Sequence, residues 1–233
     1  MKYEISNSGP FPLVHLHLAQ GEEVRIENGA MVYHNGKVRL DGKMNSGGSG
    51  GFGGALKALA RSAVSGESFF VTTVVGLADG AQIALAPGSV GQIVELDIGD
   101  KQYRLNDKAF LACDSTVNYN MISQGLGKAV FGGSGGLFVM ETNGRGKMLI
   151  NSYGDLVELT VDGTQPLVVD NFHVVAWEST LNYQIRAASG LVGFTSGEGL
   201  VNEFQGVGKV YIQTRNASGL YDLIKRFIPT QSS

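Results

Sequence analysis

Residues 142–149 read TNGRGKML. Two glycines one residue apart, followed by Lys147, fit either of two structures. A phosphate-binding loop would need the glycines to lead into a helix and a serine or threonine to follow the lysine. Here Met148 follows, and the chain then continues with the alternation of a strand. A β-hairpin tip needs only positive φ, which glycine supplies without a Cβ clash. A second copy decides between them: FQGVGKVY at 204–211 carries the same Gly-x-Gly-Lys between two apolar runs. Both stretches read as hairpin tips, and the corresponding turn in the first third of the chain is Ala78-Asp79-Gly80-Ala81.

The similarity extends outward from these turns. Val94-Glu95-Leu96 recurs as Val157-Glu158-Leu159, and Ser115-Thr116-Val117-Asn118-Tyr119 as Ser179-Thr180-Leu181-Asn182-Tyr183. LVHLHLAQGEEVRIENGAMVY, with Val14-His15-Leu16, is a fainter first copy of the stretch beginning at Ile93. Self-similarity at a fixed spacing outranks any local motif in deciding a fold. The expected fold is therefore all-β: one domain over 1–233 made of three tandem repeated units, about 10–90, 91–153 and 154–215. They pack as a sandwich or prism with pseudo-threefold character. Period-two alternation at Leu13–Leu18, Ile93–Ile98 and Leu156–Val161 turns Leu16, Leu96 and Leu159 to the core and His15, Glu95 and Glu158 to the other face. Two short helices interrupt the strands. One spans Gly54–Val64, with Leu56 and Leu59 on its apolar stripe. The other lies within 218–228, with Ser218 as N-cap and Leu220, Leu223, Ile224 and Phe227 on one side.

Composition narrows the function classes. Glycine makes up 34 of 233 residues with only five prolines, which fits a turn-rich β protein and no collagen-like repeat. A net charge of −3 with no run of basic residues argues against a nucleic-acid partner, which would ask for a basic stripe. The N-terminus MKYEISNSGPFPL has no apolar export segment and no stretch is long enough for a membrane helix, so a cytoplasmic location is expected. The single cysteine, Cys113, sits on an apolar strand and reads as a small core residue. Trp177 and Phe172 likewise read as core.

The residues also carry a resemblance. SGESFF after a short basic helix, SGEGL, the ending GVGKVYIQTR and the early ENGAMVYHNGKV are similar to the altered-inheritance-of-mitochondria 24 family of mitochondrial biogenesis proteins. The resemblance covers about 10–215. It implies an all-β fold of repeated units like that of the tryptophan RNA-binding attenuator protein, and a hint of membrane-associated scaffolding. It implies no catalytic residue and no cofactor.

One metal reading stands beside the scaffold. Gly9, His15-x-His17, Glu22 and Gly29 have the spacing of the first metal-binding motif of cupins, and two histidines at i and i+2 on a strand share a face. The second cupin motif has no counterpart, and the repeat places Glu95 and Asp97, then Glu158 and Thr160, where the histidines stand. Surface histidines are the plainer reading, and no metal is assigned. RNA binding by fold analogy is a further alternative, against which the charge argues. NSGGSGGFGG at 45–54 reads as a glycine excursion, and Phe52, Leu56 and Leu59 beyond it form a candidate docking element for a protein or membrane-surface partner. Strand edges left by so many turns need cover, and a homo-oligomer, a trimer, is the expected solution.

Overall fold

The computed structural model describes residues 1–6, 9–43, 71–106, 108–123, 138–188, 199–225 and 227–228. The alternating runs become short strands, because β-branched and aromatic residues at every second position present one apolar side to a core. In chain order the first group is β1 (Lys2–Ile5), β2 (Val14–Leu18), β3 (Glu23–Glu27), β4 (Met31–His34), β5 (Val38–Lys43), β6 (Val71–Gly76) and β7 (Ala81–Leu85). The second is β8 (Ile93–Ile98), β9 (Tyr103–Leu105), β10 (Phe110–Asp114), β11 (Val117–Ser123), β12 (Phe138–Gly144) and β13 (Gly146–Asn151). The third is β14 (Leu156–Asp162), β15 (Leu167–Asp170), β16 (Val174–Glu178), β17 (Asn182–Ala187), β18 (Leu200–Gln205) and β19 (Val207–Gln213). A 3-10 turn at Asn171–His173 and one helix, α1 (Ala217–Lys225), complete the described residues.

Among the described residues these strands form four antiparallel sheets, ordered β1-β2-β7-β4, β5-β6-β3-β10-β13-β8, β11-β12-β9-β16-β19-β14 and β15-β18-β17. The order corrects the hairpin reading of TNGRGKML. β12 pairs with β11 and β9, whereas β13 pairs with β10 and β8, so the glycines join two different sheets. Gly144 has φ +105° and Gly146 φ +145°, and a Cβ on Gly144 would sit 2.5 Å from the Thr116 carbonyl oxygen. Backbone of this kind bends an almost continuous strand around a corner instead of reversing it. Gly206, φ +111°, makes the same corner from β18 to β19. Both uses select glycine for positive φ, which is why the sequence signal is the same. Among the described residues the consecutive strands that pair with each other are β1·β2, β5·β6, β11·β12 and β17·β18, the last three over six or seven paired residues.

The buried side chains gather in three clusters that each draw on a neighbouring sheet. Val14, Leu16, Ile26, Ile83 and Leu85 pack with Leu111 and Leu149. Leu96, Leu105, Phe110, Met140 and Met148 pack with Val175 and Tyr211. Trp177, Leu181, Phe204 and Val210 pack with Val139. Each fully buried large side chain contributes about 1.5–3 kcal/mol, and sharing them ties the sheets into one body.

Leu16 and Leu96 are buried as expected, but Leu159 is only half-buried and Val161 takes the deep position on β14. Trp177 and Cys113 are core residues. Phe172 is not: it is 53% exposed, because the 3-10 turn is fixed by the Asp170 carboxylate accepting the Phe172 N–H at 2.8 Å, and Asn171 is buried in its place. α1 begins one residue before Ser218. Asn216 caps it, its Oδ1 accepting the Gly219 N–H at 2.7 Å. The expected helix Gly54–Val64 lies outside the described residues.

Candidate functional site

β2 presents His15 and His17 to one face, as their spacing requires. Their partners are ordinary. The His15 ring packs 6.0 Å from the Tyr33 ring, and His17 Nδ1 lies 3.1 Å from Gln82 Nε2, with Glu4 3.8 Å from its other nitrogen. Glu22 does not join them. Its Oε2 accepts the Ala19 N–H at 2.9 Å in the β2–β3 turn, and its Oε1 lies 3.6 Å from the N-terminal amine. Among the described residues no three His, Cys, Asp or Glu side chains are grouped as metal ligands. Phe52, Leu56 and Leu59 lie outside the described residues.

The lysine of the quoted stretch reaches a carboxylate instead of a phosphate. β8 and β13 pair so that Lys147 stands opposite Asp97 and beside Glu95. Its Nζ lies 2.9 Å from Glu95 Oε2, and the Tyr3 hydroxyl from β1 donates to that same oxygen at 2.7 Å. The Lys147 ammonium also sits 5.7 Å from the centre of the Tyr3 ring. Burial, then the hydrogen bond to the Glu95 carboxylate, pushes the Tyr3 hydroxyl up to about 12. A tyrosine so held stays protonated and serves as a donor.

β14 and β19 repeat the arrangement. Lys209 Nζ lies 2.6 Å from Glu158 Oε1, and Tyr211 stands opposite Glu158. The Lys209 ammonium, then the Tyr211 hydroxyl, hold the Glu158 carboxyl below its usual range against the opposing effect of burial. Burial and the neighbouring Tyr103 and Glu158 raise Tyr211. Alongside, Lys101 lies 2.6 Å from Glu178, whose residue is only 6% exposed. Each of the three carboxylates, Glu95, Glu158 and Glu178, therefore meets a lysine ammonium, and the pairs cross-tie strands. The repeated VEL and Gly-x-Gly-Lys stretches carry both halves of two of these pairs, a signal that aligning the copies could have exposed. The Glu178–Lys101 pair has no such signature.

Cys113 is fully buried, and burial pushes its thiol up to about 12, so at neutral pH it packs as an uncharged side chain. No helix among the described residues is long and apolar enough to cross a membrane.

Comparison with known proteins places this architecture. Residues 3–215 match the family model for mitochondrial biogenesis AIM24. An uncharacterised protein of Streptococcus pyogenes serotype M6 is 47% identical over 234 aligned positions, covering 100% of this chain and 93% of that protein. A crystal structure of a Streptococcus pyogenes protein superposes with a TM-score of 0.81 at 42% identity, over 97% of this chain and 99% of that one. The chain belongs to the mitochondrial biogenesis AIM24 family.

Proposed function

We propose that the chain is a non-enzymatic β scaffold, built of three like units over 10–90, 91–153 and 154–215, that self-associates and supports membrane-associated assemblies. The observation that carries this reading is the recurrence of strand register. On the first strand of each unit His15 faces Ala84, Glu95 faces Leu149 and Glu158 faces Tyr211. Two residues on, His17 faces Gln82, Asp97 faces Lys147 and Thr160 faces Lys209. The third strand of each unit slips register at the same place, between Met31 and Tyr33, Phe110 and Ala112, and Val174 and Ala176.

Such a design supports holding, because the polar positions that vary between units are spent on ties between strands. The position of His15 becomes the Lys-paired Glu95 and Glu158, so the histidines occupy a face whose recurring role is contact. α1 adds an apolar surface for a partner: Leu220, Tyr221, Leu223 and Ile224 are all exposed. The family's description, mitochondrial biogenesis, fits a supporting role.

The test is elemental analysis and small-molecule turnover by chelator-free protein, alongside a His15→Ala/His17→Ala variant. The scaffold reading predicts no stoichiometric transition metal in either protein and no turnover. A stoichiometric metal in the wild type that the variant loses would overturn it in favour of a metal protein.

A further inference from the structure

Two of the four sheets are complete and two are halves. In the first complete sheet, β8, β13 and β10 of one unit join β3, β6 and β5 of the unit before. In the second, β14, β19 and β16 join β9, β12 and β11 in the same order. The seam has the same register both times. Ala112, Cys113 and Asp114 face Ile26, Arg25 and Val24, and Ala176, Trp177 and Glu178 face Leu105, Arg104 and Tyr103. The remaining sheets carry the two missing sides of a third seam. Among the described residues, β2, β7 and β4 end on an edge of β4 that no strand covers, and β15, β18 and β17 end on an edge of β15 that no strand covers.

We propose that β15 of one chain pairs with β4 of a second copy, head to tail, completing a sheet of the same kind. This inference rests on the three-unit reading above. Carrying the seam register over places Tyr33 opposite Val169, His34 opposite Val168 and Asn35 opposite Leu167 of the next copy. The exposures agree with a missing neighbour. Leu111 and Val175, at the corresponding place on the two covered third strands, are 0% and 2% exposed, whereas Val32 is 54% and Tyr33 47% exposed. Val168, at the position of Arg25 and Arg104, is 48% exposed. Neither Met31–Tyr33 nor 167–169 carries a charged side chain, although a solvent-facing edge is ordinarily protected by one. Because the two edges differ, the contact is heterologous, and repeating it closes a ring or runs on as a filament.

The geometry also supplies a clean variant. Asn106 donates its N–H to Val175 and Ser179 donates to Gln102 across the second seam, so Arg104, between them, turns both its N–H and C=O to that seam. Val168, its counterpart, turns the same groups to the open edge, and Val168→Pro removes no ladder bond within the chain.

The experiment uses the full chain at fixed micromolar concentration, with light scattering after size exclusion and circular dichroism to confirm folding. The wild type is expected as a multimer, and Val168→Pro raises its dissociation constant by about tenfold. A Tyr33→Cys/Val169→Cys chain, mildly oxidised, is expected to form covalent multimers that reductant collapses, because opposite strand residues lie within disulfide reach. Either single variant stays uncross-linked. A monomeric wild type, or a folded double-cysteine chain that does not cross-link, overturns the pairing. Those results leave the non-enzymatic reading standing, since metal content and turnover decide that separately.

Discussion

Gly91→Ala tests how closely two segments of backbone cross at Gly91 and Gly154. Gly91 is buried two residues before β8, forms a parallel bridge with Gly154, and donates its N–H to the Pro10 carbonyl at 2.9 Å. A Cβ built there would lie 2.0 Å from the Ser152 carbonyl oxygen and 2.7 Å from that of Gly154. Both obstacles are backbone, so no side chain can swing aside, and the crossing must open by more than an ångström. Overpacking of this kind costs about 1–3 kcal/mol. Opening the crossing also weakens the Gly91–Pro10, Gly154–Val90 and Ser152–Gln92 hydrogen bonds, each contributing about 1 kcal/mol. A loss of about 3–4 kcal/mol is expected, which for a chain of this length lowers the melting temperature by about 10 °C. The assay is thermal unfolding by circular dichroism at one protein concentration. Gly88→Ala is the control, since nothing lies within 4 Å of its Cβ; it should leave the midpoint unchanged or raise it slightly. A Gly91→Ala midpoint within 2 °C of the wild type would refute the reasoning.

Other consequences can be measured on the same footing. Trp177→Ala opens the cluster with Phe204 and Tyr183, whose rings lie 5.4 and 4.8 Å away, and should cost about 3–5 kcal/mol in urea unfolding. Lys101→Met leaves the buried Glu178 carboxylate without its cation and should cost about 1–3 kcal/mol, most of which Lys101→Met/Glu178→Gln recovers. Glu158 gives a pH signature. Its folded carboxyl titrates below the ordinary 4.5, so its stabilisation is present above that value and is lost as pH falls from there through the lowered folded value. Acid unfolding of Lys209→Met should show a weaker pH dependence in that window than the wild type, and identical profiles would remove Lys209 as the cause.

Much of the architecture was legible because its causes are local. Alternation fixed the faces of β2 and β8, and the spaced copies pointed to matched strands whose registers recur. The sheet order was not legible. A glycine with positive φ satisfies a hairpin tip and a strand corner equally, and only the partners of β12 and β13 distinguish them. Phe172 was misplaced because its exposure follows from the Asp170 cap, which the apolar pattern does not encode. Asn216, two residues before Ser218, is the cap because its side-chain carbonyl reaches the Gly219 N–H. The Lys147 and Lys209 ion pairs were half visible in the repeated motifs, whereas Glu178 and Lys101 meet only because β16 and β9 become neighbours across a seam.

The most direct test of a self-associating β scaffold is native mass spectrometry of the untagged chain, purified gently and without chelator. The account predicts whole multiples of the 24.7 kDa chain mass with no additional bound mass. A single species at 24.7 kDa across the micromolar range would contradict self-association, and a stoichiometric metal in any species would contradict the non-enzymatic scaffold.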